Sequence, residues 1–221
     1  MNLIGLSEVV RSLPELWVGL RFTLLLVFAS LATGAVIGLL VCLGRISGRG
    51  LLSGICATYT TIFRGVPEPV LMFWLYYCGP LLGGVRPSSV VAALVAMSLY
   101  VGALLSEIFR GGILAVPRGQ VEAARSLGVP EFWVWTSVIL PQAFRIVIPA
   151  LIGVAALTVK VSGIASTIGV TELVFQANVI AGQSYRYFEM FTAVGAFYFV
   201  ILFPMSMIAK AYERKLTVRR K

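Results

Sequence analysis

The 221-residue chain contains no histidine and no aspartate; all nine acidic residues are glutamate. Without histidine there is no Ser-His-Asp or Cys-His nucleophile system and no His-ligated metal. No phosphate-cradling glycine loop and no G-x-S-x-G elbow occurs. The chain is therefore expected not to be an enzyme, and to carry no catalytic residue, metal or cofactor of its own. Cysteine is scarce as well. Cys42, Cys56 and Cys78 are odd in number and lack a C-x-x-C spacing. That argues against a disulfide framework or a zinc site and reads as small apolar side chains. Charge is the third scarcity: 12% of residues are charged and 59% hydrophobic, against roughly 25% charged in soluble domains. Few classes other than a polytopic, all-α membrane protein tolerate so little charge.

What is present is a series of uncharged runs: Phe22–Leu43, Pro69–Val85, Pro87–Ser106 and Met190–Ala209, with a fifth in Ile146–Gly169 interrupted only by Lys160. A spanning helix needs about 20 mainly apolar residues. The pattern predicts about five spans in one transmembrane domain over 1–221: 20–43, 57–80, 88–110, 143–168 and 189–210, with a long loop over 111–142. Five is odd, so the two ends lie on opposite sides. Arg45, Arg49, Arg110, Arg118, Arg125, Arg145, Lys210, Arg214, Lys215, Arg219, Arg220 and Lys221 fall on one side; Arg11, Arg86 and Arg186 fall on the other, with Arg21 at a span edge. Positive charge stays inside, which puts the N-terminus outside and the C-terminus inside. The net charge of +9 then reads as juxtamembrane charge facing anionic lipid, with no nucleic-acid role.

The loop over 111–142 has helical chemistry. Pro117 suits a helix start, and Gly128 followed by Pro130 suits a stop. Between them Val121, Ala124 and Leu127 recur at roughly helical spacing, with Arg118, Glu122 and Arg125 as the polar complement. A helix this short needs a surface to pack on. That surface is either the chain's own membrane domain or a partner, and periodicity does not separate the two.

Glu122-Ala123-Ala124, then three residues and Gly128, then Leu140-Pro141, resemble the EAA loop of binding-protein-dependent ABC importer permeases. Val138 stands where that pattern has isoleucine. Other segments match in order: Gly19 to Thr23-Leu24, Phe63-Arg64-Gly65-Val66-Pro67, Glu107 to Gly112, Val116-Pro117-Arg118-Gly119-Gln120, and Ile168-Gly169 with Glu172-Leu173. The resemblance is to the polar amino-acid and opine type, the histidine, arginine, glutamine and octopine permeases. It implies the type I permease fold in the bacterial inner membrane. It also implies that the loop forms an L-shaped pair of helices, with Glu122, Ala123, Ala124, Gly128, Leu140 and Pro141 docking on a cytoplasmic ATP-binding subunit. The expected partners are a dimer of that subunit, which would hold the ATP, a second permease chain, identical or homologous, and a periplasmic solute-binding protein.

The spans contain few polar groups. Lys160 is the one cation deep in an apolar run, and a charge there faces protein or water. With Thr158 and Ser162 nearby in sequence, it is a candidate for the translocation path. Related permeases often carry an acidic or polar residue after this lysine, where this chain has Val161. That weakens binding of a cationic side chain here and fits a heteromeric pair. Glu107 with Arg110, and Arg64 with Glu68, have helical spacings that suit structural ion pairs. Gln176, Asn178, Gln183 and Ser184 read as solvated residues of an outer loop. Gly34, Gly38, Gly102, Ala103, Gly153 and Gly195 would allow close helix contact. The alternative reading is a secondary transporter or channel. It predicts internal repeats and ion-coupling acids within the spans, and neither is evident.

Overall fold

The structure, a computed structural model, describes residues 6–84 and 86–218; Arg219, Arg220 and Lys221 of the basic tail lie outside the described residues. Helices account for every regular element among them: α1 (Leu6–Arg11), α2 (Leu13–Ile46), α3 (Gly50–Gly65), α4 (Glu68–Phe73), α5 (Gly79–Gly83), α6 (Ser89–Leu114), α7 (Arg118–Ser126), α8 (Glu131–Trp133), α9 (Leu140–Ser162), α10 (Leu173–Ser184) and α11 (Tyr187–Val218). Four stretches are long and apolar enough to cross a membrane: Leu13–Ile46, Ser89–Leu114, Glu131–Ile168 and Tyr187–Arg214. They correspond to the spans expected over 20–43, 88–110, 143–168 and 189–210. Each has a physical start or stop. The hydroxyl of Ser88 accepts from the Val91 amide at 3.3 Å and caps α6. Gly48, at φ +71°, turns the chain after α2.

The span expected over 57–80 is broken rather than continuous. Val66 precedes proline and takes extended backbone, φ −81° and ψ 129°, which ends α3. The helix restarts at Glu68, passes through a π turn at Trp74–Cys78 and finishes as α5. A second π turn, Val134–Ile139, joins α8 to α9. Pro80 and Pro141 follow these two turns by two residues each. Proline cannot supply the amide that a regular helix needs, and the wider turn just before it absorbs the misfit.

The bundle is organised by the crossing of α2 and α6. A Cβ added at Gly38 would lie 2.9 Å from both the Gly102 carbonyl and Leu105 Cβ. At Gly34 it would lie 2.7 Å from Val101, and at Gly102 2.8 Å from Ile37. Hydrogen bonds cross between helices at this level: the Thr33 and Ser98 hydroxyls are 2.6 Å apart, and the Tyr59 hydroxyl donates to the Leu99 carbonyl at 2.7 Å. Ala103 is fully buried. Gly153 and Gly195, by contrast, have nothing within 4 Å of an added Cβ, so they mediate no helix contact within this chain. One core gathers Met72, Met97, Ala93, Ala96, Ala165 and Ile168 between α4, α6 and the 3-10 turn Gly163–Ile168.

The segment expected as a solvated outer loop is helix α10. Leu173, Ala177 and Ala181, one turn apart, are fully buried with Leu16 and Met190. Gln183 and Asn178 are on its exposed face, while Gln176 and Ser184 are half-buried.

Gly38→Val is expected to destabilise the chain by about 1–3 kcal/mol through overpacking against the α6 backbone. A lowered unfolding temperature of the purified protein in detergent, with no such loss for Gly153→Val, is the measurement that checks it.

Candidate coupling loop and polar groups of the spans

The loop between α6 and α9 is a helical elbow. Pro117, in extended backbone at ψ 122°, stands just before α7 rather than in its first turn. Val121 and Ala124 pack on Val116, Val134, Ile139 and Ala143. Leu127, expected on the same stripe, is instead 83% exposed. Glu122 and Ala123 face outward. The helix closes with the Gly128 amide donating to Arg125 O at 2.9 Å and the Val129 amide to Ala124 O at 3.2 Å. Gly128 sits at φ +74°, the left-handed conformation this closure uses. That is the physical reason for glycine at this point of the motif.

Two side-chain links hold the elbow. The Arg125 guanidinium grips Glu131 with both arms, Nε to Oε2 at 3.1 Å and Nη2 to Oε1 at 2.6 Å. Gln142 Nε2 donates to Gln120 Oε1 at 2.7 Å, tying α7 to α9. Leu140 and Pro141 are exposed at the start of α9. Of the six motif residues, Glu122, Ala123, Gly128, Leu140 and Pro141 are exposed, while Ala124 turns inward. Beside them opens a groove of about 380 Å³ lined by Ile113, Val116, Arg118, Val121, Glu122 and Ile139. Sequence reasoning missed Phe132, which is 68% exposed and stacks edge-on against Trp133, itself 56% exposed. The available signal was three bulky apolar residues flanking Gly128 and Pro130 in a loop.

Deeper in, Glu107 accepts from Arg110 Nε at 3.1 Å and Nη2 at 2.7 Å. It is also in close ion-pair contact with Arg45 of α2, a partner the sequence reading left among the loop charges. Arg45 reaches Thr60 of α3 at 3.4 Å as well. One carboxylate thus joins α2 to α6, and its arginine partner joins both to α3. The expected Arg64–Glu68 pair does not form. The extended Val66–Pro67 break removes the helical register between them, leaving Arg64 exposed and Glu68 buried with neither carboxyl oxygen hydrogen-bonded. The three expected path residues also separate. Thr158 and Ser162 are buried and bond to their own helix, at Val154 O and Val159 O, both 2.8 Å. Lys160 points to the opposite, exposed side, into a groove of about 480 Å³ between α9 and α11 with Leu157, Met205 and Ser206.

Two matched motifs meet across 149 residues. A Cβ at Gly19 would lie 2.9 Å from Leu173 Cα, so only glycine admits the start of α10 there. The Thr23 hydroxyl accepts from the Leu173 amide at 3.1 Å and stands 3.4 Å from Glu172 Oε2. Glu172 caps α10, accepting from the Val174 and Phe175 amides at 3.0 and 2.8 Å. Burial pushes its carboxyl up from 4.5 to about 7, against these donors, which pull it down. A raised pKa means the folded chain holds this proton more tightly than the unfolded one. Its contribution is therefore full below about pH 4.5 and is lost as pH rises towards 7.

The described chain is a bundle of membrane-crossing helices carrying an exposed helical elbow braced from within. The chain belongs to the family "Binding-protein-dependent transport system inner membrane component", whose model matches residues 34–218. It is 36% identical over 206 residues to the Probable amino-acid ABC transporter permease protein YckA of Bacillus subtilis, covering 93% of this chain and 91% of the relative. It is 35% identical over 216 residues to the Arginine transport system permease protein ArtQ of the same organism, covering 98% of each. Its fold matches a crystal structure of an amino acid ABC transporter with histidines at a TM-score of 0.89 and 34% identity, over 97% of this chain and 100% of that one. It is a multi-pass inner-membrane transport subunit rather than an enzyme. Permeases of this family work with an ATPase and a binding protein, which displaces the secondary-transporter and channel alternative.

Two outcomes are expected. The unfolding temperature should fall between pH 4.5 and 7 with a slope that Glu172→Gln reduces. Glu107→Gln should destabilise the chain by about 1–3 kcal/mol, because Arg45 and Arg110 lose their shared carboxylate. Thermal unfolding in detergent across pH checks both.

Proposed function

We propose that this chain forms part of the path for a polar amino acid or a related compound such as an opine, and couples that path to ATP hydrolysis on a separate subunit. The whole of 1–221 acts as one permease domain, with the N-terminus outside and the C-terminus in the cytoplasm, as the lysine and arginine bias favours. The elbow docks on a dimer of cytoplasmic ATP-binding subunits through Glu122, Ala123, Gly128, Leu140 and Pro141, while Ala124 seats α7. The ATP belongs to that partner. A second permease chain completes the path, and a periplasmic solute-binding protein delivers the ligand. Lys160 faces the path, with Thr158 and Ser162 shaping its helix from behind. The amino-acid substrate is supported by the relatives named above.

The observation that carries this reading is the outward Glu122 and Ala123 beside an open groove, on a helix fixed at both ends. A partner that moves α7 moves α6 and α9 with it. Closure of two ATPase subunits would then bias a two-state membrane domain.

Glu122→Lys is expected to leave insertion intact while uptake and transport-coupled ATP hydrolysis fall about tenfold or more, since charge reversal at a docking surface costs several kcal/mol. Uptake in membrane vesicles, with ATPase copurification on the tagged chain, checks it; normal uptake in the variant removes Glu122 from the interface.

A further inference from the structure

A groove of about 530 Å³ runs between the first turns of α2 and the first half of α11, lined by Leu13, Trp17, Leu20, Leu24, Phe197 and Val200 among others. Leu20 and Phe197 belong to the core cluster beneath it. Trp17, Leu24 and Val200 stand 49%, 42% and 68% exposed along it. No polar or charged side chain lines it.

A cation stands at its side. The Arg21 guanidinium carbon lies 5.7 Å from the centroid of the Trp17 ring. Trp17 is one turn nearer the N-terminus, so the charge is drawn towards that end of the helix, as a snorkelling arginine is. The nearby acids Glu8 and Glu15, with Arg11, line a different, polar groove facing α10. Indole and guanidinium side chains together mark the level of the lipid headgroups.

The length of the groove decides what fills it. From Trp17, the level the Arg21 guanidinium reaches, to Leu24 is seven steps of helix, or about 10 Å at a rise of about 1.5 Å per residue. That lies within the roughly 15 Å of one leaflet's hydrocarbon. A lipid occupies one leaflet, and a groove confined to one half of the bilayer matches the reach of one acyl chain. The guanidinium suits a phosphate, which it binds through paired N–H donors.

We propose that the α2–α11 groove holds an acyl chain of an anionic phospholipid from the leaflet on the N-terminal side, with its phosphate on Arg21. The site is separate from the coupling loop and stands whether or not the docking reading holds.

The test is lipid retention by the transporter purified in mild detergent, with phosphatidylglycerol and phosphatidylethanolamine quantified per permease chain by mass spectrometry. The wild type should keep about one lipid per chain, enriched about fivefold in the anionic headgroup over the membrane extract, as one cation near the surface provides. Ala196→Phe, at an exposed position in the groove wall, should lose that lipid. Arg21→Ala should keep it at the ratio of the membrane. A wild-type ratio equal to that of the membrane, or undiminished lipid in Ala196→Phe, overturns the proposal. So does a photoreactive residue at position 200 that captures another protein chain instead of lipid.

Discussion

The close crossing of α2 and α6 is the constraint on which the remaining structure depends. Apolar burial gives little drive for helices to associate in hydrocarbon, because lipid tails are as apolar as leucine. Association there needs close backbone approach and hydrogen bonds between helices. Gly34, Gly38 and Gly102 supply the first; Thr33 with Ser98, and Tyr59 with Leu99, supply the second. Both devices lie in the same stretch of the crossing. Other elements are placed relative to this pair: α3 is held to it through Tyr59 and Arg45, and α10 is capped against α2 at Thr23.

That crossing also gives the elbow something rigid to act on. Glu107 lies two turns above the end of α6 and is held from α2 by Arg45. Gly112, one turn on, admits Val147 and the Ala143 carbonyl of α9 so closely that a Cβ would collide. The elbow therefore leaves α6 immediately after a point where three long helices are fastened together. Its far arm returns into α9 through a π turn and Pro141, where helical hydrogen bonding is already loosened. A rigid fastening on one side and a wider turn on the other are what the proposed docking of a partner subunit on the elbow would require.

Much of this was legible in the sequence. Three of the four long spans follow from uncharged runs and the fourth from a run interrupted only by Lys160, and the elbow from Gly128 and Pro130. What the sequence hid has particular causes. The broken second span looked continuous because hydropathy averages over Val66-Pro67, although a residue before proline is a known helix boundary. Helix α10 looked like a loop because its polar residues were counted and the spacing of Leu173, Ala177 and Ala181 was not. The Arg64–Glu68 pair assumed a register that the same proline removes. Lys160, Thr158 and Ser162 are neighbours in sequence, but two residues along a helix is roughly 200° around it, so they cannot share one face. The partner of Glu107 was invisible for a different reason: Arg45 lies 62 residues away, and only the packing of α2 on α6 brings it there.

The distribution of exposure fits the bilayer as the solvent for this fold. In its most apolar window α11 is only 6% buried, against 56% for α6. In water a helix exposing Phe199, Val200, Phe203, Met207 and Ile208 would aggregate. In hydrocarbon the same face carries no such penalty, while its backbone groups are satisfied within the helix. The polar side chains of α11 obey the same rule: the hydroxyls of Thr192 and Ser206 donate to the carbonyls of Phe188 and Phe203 of their own helix. Among the described residues two buried side chains lack a hydrogen bond, the Tyr198 hydroxyl of α11 and the Glu68 carboxyl. Glu68 stands at the start of α4, immediately after the broken turn, where the backbone already departs from helical pairing. Lost backbone pairing and an unpaired acid therefore coincide at the α3–α4 junction, because the proline that ends α3 also removes the register in which Arg64 could have reached Glu68.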